Sequence, residues 1–285
     1  MPDCISELKI LEWNIRGSAS MGWNNKYEIK KFVVDRIMSE EADIVIINEF
    51  VISKGWDYFQ LKLEEYGYVW FMTHTTSQNG ILIAINKNID GLDLDGIKKY
   101  EQNKITTEIK SKSTEKPDFL QVELKISEKI VYVIGIRIIV GQYNEKDYKD
   151  RKKQLDSLIE HLSLQDNENI VIIAGDFNNS RICGEQTADY DETVKKEYVG
   201  KLTEHYNYHI IKDAFKEKAF TMYTPEGEEF SWGGYIKNDH IICKGVKNVN
   251  NLEYSKDCME SESKSKSPIG YPDHAILSGT IEFND

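Results

Sequence analysis

The chain has 285 residues, 40% of them hydrophobic and 11% aromatic, enough apolar material for a sizeable core. Its formal net charge of −12 argues against a protein that grips nucleic acid without sequence preference through a broad basic surface, because that mode relies on lysine and arginine displacing counterions. The same charge suits a site that gathers carboxylates around a divalent cation, and it leaves room for an enzyme that touches only a few phosphates.

In chain order, the opening MPDCISELKI lacks a basic stretch followed by an apolar run, so no signal peptide is read there. Residues 8–13 read as a strand. Residues 27–39 place Ile29, Phe32, Val33, Ile37 and Met38 on one helical face. The run IVII at 44–47 is a short apolar strand of the kind buried on both faces. Residues 56–66 form an amphipathic helix and 81–85 another strand. In FLQVELKI (119–126) the apolar residues alternate, predicting a half-buried strand paired with IVYVIGI (130–136) across a short SEK turn. Residues 148–162 predict a helix with Leu155, Leu158, Ile159 and Leu162 inward. A second IVII strand follows at 170–173, and 275–283 closes the chain as a strand. The polar stretches 86–117 and 253–270 read as surface loops, the second one mobile.

The apolar runs are much shorter than a membrane span. Cys4, Cys183, Cys243 and Cys258 form no C-x-x-C pair and read as reduced thiols. The expectation is a soluble, cytoplasmic protein with no membrane span, a single domain over 1–285, and a monomer. Helix, IVII and Glu49-Phe50 in the first half are echoed by helix, IVII and Asp176-Phe177 in the second. Two similar α/β halves are therefore expected, with the site between them at the strand ends.

Five segments carry polar groups at strand ends: WNIRG (13–17), INEF (47–50), AGDFNN (174–179), NDHI (238–241) and PDHA (272–275). Each alone has an ordinary explanation, since Gly, Asp and Asn favour turns and Asp-His pairs occur on solvated loops. Together they supply what cleavage of a phosphate ester requires. Hard oxygen ligands hold Mg²⁺ or Mn²⁺ to offset charge on the non-bridging oxygens, a carboxylate positions water, and an imidazole held by a second carboxylate serves the phosphoryl group.

These motifs, in this order and spacing from about residue 8 to 283, resemble the endonuclease/exonuclease/phosphatase superfamily. It includes deoxyribonuclease I, abasic-site nucleases, neutral sphingomyelinases and inositol-polyphosphate 5-phosphatases. The resemblance implies a four-layer α/β/β/α sandwich of two mixed central sheets flanked by helices. It implies Glu49 as the principal metal ligand, helped by Asn14, with Asp273 near a second cation position. It also implies Asp176 positioning the attacking water and Asn178 hydrogen-bonding the phosphate. His274 would contact the scissile phosphate or move a proton, with Asp239 fixing its tautomer. The cofactor implied is Mg²⁺ or Mn²⁺.

Two departures stand out. Where many relatives carry a His, and abasic-site nucleases a Tyr nearby, this chain has Arg137 in GIRII. Arginine cannot act as a general acid at neutral pH; it is read either as a phosphate contact or as the partner of a structural carboxylate. Leaving-group protonation then falls to metal-bound water or another side chain such as His74. Abasic-site nucleases place a carboxylate where this chain has Arg16; WNIRG resembles deoxyribonuclease I instead, and Arg16 is read as a phosphate contact. His161, His205, His209, Trp232 and Tyr235 are read as packing or surface residues. The leading expectation is a nuclease acting on nucleic acid, ahead of a phosphatase or phosphodiesterase of inositol phosphates or lipid headgroups, and of an inactive scaffold of the same fold.

Overall fold

A computed structural model describes residues 5–16, 29–52, 54–73, 80–101, 117–139, 145–163, 168–182, 208–227, 229–232, 236–256 and 272–284. In the first half, strand β1 (Glu7–Asn14) is followed by helix α1 (Lys31–Ser39), β2 (Ile44–Phe50), α2 (Trp56–Glu65), β3 (Tyr68–Met72) and β4 (Gly80–Asn86). The middle contributes β5 (Lys98–Glu101), β6 (Asp118–Ile126), β7 (Lys129–Arg137), α3 (Glu145–Ser163) and β8 (Ile170–Ile182). The chain continues through α4 (Tyr208–Lys216), β9 (Thr221–Tyr223), β10 (Ile236–Lys244), β11 (Val246–Ser255) and β12 (Ile276–Phe283).

These strands form two six-stranded sheets, ordered β11-β12-β1-β2-β4-β3 and β5-β6-β7-β8-β10-β9. Each sheet is antiparallel except for one parallel pair, β1 with β2 and β7 with β8, and a helix makes the crossover in each case. The echoed helix–IVII pattern is the trace of these two crossovers. Parallel neighbours need a long connection, and a helix that buries one face against the sheet supplies it.

Period-2 alternation decides which face each strand side chain takes. Leu8, Ile10, Ile44, Ile46, Ile81 and Ile83 from one sheet meet Leu120, Val122, Val131, Val133, Ile172 and Ile241 from the other in the core between the sheets. The alternate residues Leu11, Trp13, Val45 and Ile47 pack outward against Val33, Val34 and Ile37 of α1 and Phe59 and Leu63 of α2. Ile134, Ile136, Val171 and Ile173 pack outward against Leu155, Leu158 and Leu162 of α3 and Ile211 and Phe215 of α4. The result is the expected α/β/β/α order of layers. Each such aliphatic side chain contributes about 1.5–3 kcal/mol on burial, so a polar residue at Ile37, wholly buried in the α1 face, would destabilise that layer.

The strands and helices expected from periodicity are present, with shifted ends. Helix α1 begins at Lys31, after an extended Lys30, while residues 27 and 28 lie outside the described residues. Residues 86–117 are not wholly a loop: β5 pairs there with β6, Lys98 opposite Glu123 through Glu101 opposite Leu120. Backbone pairing supplies that strand where the polar side chains of KKYE gave no signal. Residues 253–255 likewise belong to β11, and 257–270 lie outside the described residues. No helix among the described residues is long and apolar enough to cross a membrane.

Candidate active site

The apolar rows between the sheets end in polar residues. On β1 the row Leu8, Ile10 continues to Glu12 and Asn14; on β2, Ile44 and Ile46 continue to Asn48. On β8, Ile172 and Ala174 continue to Asp176; on β10, Cys243 and Ile241 continue to Asp239. All five polar side chains are buried. The register sets Asn14 beside Asn48 within the first sheet and Asp176 beside Asp239 within the second. Asp176 does not stand beyond its strand, as the motif alone suggests: β8 runs on to Ile182 because antiparallel β10 continues to pair with it.

Glu49 breaks the alternation. Regular geometry would turn it to the helix side, but its φ is +52° and the β2–β4 register shifts between Ile47 and Phe50. A bulge re-aims a side chain in this way. Its Oε1 accepts from Arg137 Nε and Nη2, both at 2.9 Å, across the gap between the sheets. Arg137 Nη1 also lies 3.5 Å from Asp118 Oδ2, its register partner on β6. Arg137 thus pairs with two carboxylates, one from each sheet.

Asp176 Oδ1 accepts from the Asn178 backbone N–H at 2.9 Å. Its Oδ2 accepts from Asn178 Nδ2 at 2.9 Å and from Asn14 Nδ2 at 3.1 Å. Asn178, at φ +47°, also donates from Nδ2 to the Ile138 carbonyl at 2.9 Å, so both its amide hydrogens hold the site rather than point at a ligand. Asn14 Oδ1 accepts from the Arg16 backbone N–H. Burial pushes the Asp176 carboxyl up to about 6, with the nearby His274 charge opposing that rise and the Asp239 carboxylate adding to it.

His274 completes the group. Its Nδ1 lies 2.9 Å from Asp239 Oδ2, and its Nε2 lies 3.9 Å from Asp176 Oδ2. Its backbone is clamped by Trp13 Nε1, which donates to the His274 carbonyl at 2.9 Å, and by a bridge to Trp232. Burial works against the imidazolium, but the Asp239 and Asp176 carboxylates outweigh it and hold the ring well above its ordinary value. In that cationic ring Nδ1–H faces Asp239 and Nε2–H faces Asp176.

Asp273 sits at the rim, 3.7 Å from Arg16 Nε and accepting from Trp232 Nε1 at 3.1 Å. His161 lies away from the site, 3.0 Å from Gln121 Oε1 and edge-on to Phe119, as a packing residue. His74, His205 and Tyr235 lie outside the described residues.

Periodicity and motif did not single out several residues that build the site. Wholly buried Arg151 donates from Nη1 to the Asn178 carbonyl at 2.9 Å, and Gln154 Oε1 accepts from the Ile139 N–H at 2.9 Å. Arg151 shares the inward face with Leu155, Leu158 and Leu162, at helical spacing, and that place among apolar residues was its signal. Ser231 Oγ accepts from the Asn238 N–H, and buried Lys237 donates to the Pro225 and Gly227 carbonyls. Glu12 and Asn48 left no signal beyond a polar residue in an apolar strand.

The donors fit a hard divalent cation. They are carboxylate and amide oxygens with one imidazole, and Asp176, Asp239 and His274 offer ligand atoms within 4.8 Å of one another. Within that group His274 Nδ1 is already engaged by Asp239, and Glu49 Oε1 is engaged by Arg137.

The comparisons agree with this architecture. An AP endonuclease from Archaeoglobus fulgidus superposes with a TM-score of 0.60 at 15% identity, over 98% of this chain and 100% of that one. TDP2 from D. rerio, complexed with single strand DNA product, gives 0.57 at 14%, over 97% and 99%. ANGEL2, a 2',3'-cyclic phosphatase, gives 0.60 at 11%, over 97% and 95%. No curated protein sequence matches the chain. The family model described as Endonuclease/Exonuclease/phosphatase family matches residues 11–259. The chain belongs to that family, as a metal-dependent hydrolase of phosphate esters with the deoxyribonuclease I-like fold.

Proposed function

We propose that this enzyme is a Mg²⁺-dependent nuclease that cleaves a phosphodiester bond by direct attack of water. One observation carries the reading: the His274 ring stands between Asp239 at 2.9 Å and Asp176 at 3.9 Å, all three buried where the two sheets end. A base near neutral and a cationic donor sit side by side there.

In this reading Asp176 is the base. Held by Asn14 and Asn178 and raised to about 6, it is ionised at neutral pH yet basic enough to take a proton from the attacking water. His274, kept cationic by its two carboxylates, presents Nε2–H to the phosphoryl oxygens as charge builds on them. Asp239 accepts from Nδ1–H and keeps the ring turned so that Nε2–H faces outward from that bond. Arg16, a third exposed at the rim, meets the substrate phosphate backbone. Glu49 would hold the divalent cation, which when bound would offset charge on the non-bridging oxygens. Arg137 then balances the buried charge of Glu49 and stays beneath the phosphate as a fixed cation. Arg137 cannot supply the proton that the leaving oxygen takes, which then falls to water or another side chain.

Support for nucleic acid as substrate comes from similar solved structures, one of them bound to a DNA product. The net charge of −12 favours a second reading, a small phosphorylated substrate that needs no extended basic track. Both are tested by incubating plasmid DNA, single-stranded DNA, RNA and a panel of phosphorylated small molecules with Mg²⁺, Mn²⁺ or EDTA. Glu49→Ala and His274→Ala serve as controls. Nicking that EDTA and both substitutions abolish supports the nuclease. Phosphate release from a small molecule with nucleic acid intact moves the enzyme to the phosphatase branch. Silence on every substrate favours an inactive scaffold.

A further inference from the structure

Tyr254, on the outermost strand β11 of the first sheet, is buried in the core between the sheets. Its hydroxyl donates to the backbone carbonyl of Asp239, on β10 of the opposite sheet, at 2.5 Å. Tyr254 takes no part in the chemistry above, yet it grips the backbone of the residue that holds His274.

Asp239 depends on such a partner because of its place in the sheet. Asp176, its register partner, turns its carbonyl to the Ile138 N–H on the far side of β8, at 2.9 Å. Opposite residues of an antiparallel pair exchange both backbone bonds or neither, so the N–H and C=O of Asp239 face away from β8. On that side β9 pairs only with Ile241, Ile242 and Cys243, and Trp232 bridges to Ile236. Among the described residues no strand flanks Asp239 between those two contacts, and the β8–β10 register shifts just before it. Side chains take over the missing ladder. Ser231 Oγ accepts from the Asn238 N–H at 2.8 Å and from the Asp239 N–H at 3.4 Å, while Tyr254 satisfies the carbonyl. The Ser231 carbonyl also accepts from the N–H of Ala275, next to His274, at 2.8 Å. In the same segment Glu229 Oε2 accepts from the Tyr254 N–H at 3.1 Å. Asp239, the chain beside His274, and Tyr254 are thereby tied to one short stretch, and Tyr254 closes the frame from the other sheet.

We propose that Tyr254 is a positioning residue of the active site: its hydroxyl pins the Asp239 backbone across the space between the sheets and so sets the Asp239 carboxylate square to the His274 ring. Tyr254 touches no substrate. The proposal rests on the reading of Asp239 and His274 as a working pair.

Tyr254→Phe removes one oxygen and keeps the ring. The buried Asp239 carbonyl then loses its donor, and the backbone must shift or admit water to recover one. Tyr68→Phe is the control: at the opposite edge of the same sheet, buried Tyr68 donates to the Ala42 carbonyl at 2.6 Å, among residues packed on α1 and α2. Both variants should lose comparable stability in urea. Rates are compared at temperatures where both are folded, with bis(p-nitrophenyl) phosphate and Mg²⁺. Tyr254→Phe should lower kcat about 10- to 100-fold with KM little changed, the loss usual when a partner that orients a site residue is removed. Tyr68→Phe should keep full kcat. The downfield proton resonance of His274 Nδ1–H, identified by its loss in His274→Gln, should move in Tyr254→Phe and stay in place in Tyr68→Phe. Full kcat in Tyr254→Phe, or an equal loss in both variants, overturns the proposal. If the unaltered protein hydrolyses no phosphate ester, the functional reading fails and the resonance decides alone. A shift confined to Tyr254→Phe then supports the link from Tyr254 through Asp239 to His274, and an unmoved resonance overturns it.

Discussion

Arg137 aims two nitrogens, Nε and Nη2, at the same oxygen of Glu49, each at 2.9 Å, and the two residues come from opposite sheets. Both side chains are almost wholly buried, 7% and 11% exposed. A buried pair of this kind adds modest net stability, but removal of one partner strands the other charge and costs about 3–5 kcal/mol. Arg137→Met should therefore lower the unfolding free energy of the metal-free protein, measured by urea denaturation, by that order. Arg137→Lys should lose less, since it keeps the charge and loses the fork. A divalent cation held by Glu49 would replace the missing positive charge, so Mn²⁺ should raise the melting temperature of Arg137→Met more than that of the unaltered protein. Equal shifts in the two would mean that the cation does not reach Glu49.

The Asp239–His274 bond makes a separate prediction about chemistry. Asparagine at 239 keeps the size but can present its N–H to the ring, which reverses the hydrogen bond and stabilises the wrong tautomer. Comparable changes in other enzymes that hold a histidine this way cost about 10⁴ in kcat. Asp239→Asn should thus fold normally by circular dichroism and lose about three to four orders of magnitude in kcat, with a smaller change in KM. Near-normal turnover would show that His274 works without its carboxylate.

Much of this was legible in the sequence, and what was not has physical reasons. Continuous apolar runs announced β2 and β8, and helical spacing announced α1, α2 and α3, because burial on a regular element leaves a periodic trace. Strand β11 left almost none: of its ten residues only Val249 and Tyr254 are buried, and its pairing with β12 slips twice. Asp239 and His274 lie 35 residues apart in the chain, so only the resemblance joined them. The orientation of Glu49 was also hidden, because it depends on one positive φ and a register shift rather than on residue type. Arg151 was visible as a charged residue on an apolar helix face, but its target, the Asn178 carbonyl, belongs to a different element.

The site also sets a pH dependence of stability. Asp176 moves from an ordinary value of 3.8 to about 6 on folding, and His274 and Glu12 rise well above their ordinary values. For each the folded state binds protons more tightly than the unfolded one, so unfolding free energy falls as pH rises. The contribution of Asp176 is complete below about 4 and is lost by about 6. That of His274 is complete below about 6.5 and is lost as pH climbs through its higher folded value. Metal-free protein should accordingly have a higher urea midpoint at mildly acidic pH than at pH 8. Asp176→Asn should flatten the lower part of that decline, and His274→Gln the upper part. A midpoint that rises toward pH 8 would contradict the sign of all three shifts.

Two glycines next to working elements separate steric need from backbone need. A Cβ on Gly175, one residue before Asp176, would overlap the Ile136 carbonyl oxygen on the adjacent parallel strand. That strand carries Arg137 next in line, so the intruding methyl pushes apart the two strands that position Asp176 and Arg137. Overpacking of this kind costs about 1–3 kcal/mol, more where backbone must move. Gly227 is the contrast: a Cβ there meets nothing within 4 Å, but its φ is +74°, a conformation that disfavours side chains by about 1–2 kcal/mol. Gly175→Ala should therefore lose stability and also turnover, because the clash displaces the site. Gly227→Ala should lose stability alone, with kcat unchanged at temperatures where it is folded. Chemical denaturation and steady-state rates measured on the same preparations distinguish the two, and full activity in Gly175→Ala would mean that the strand pair yields without moving Asp176.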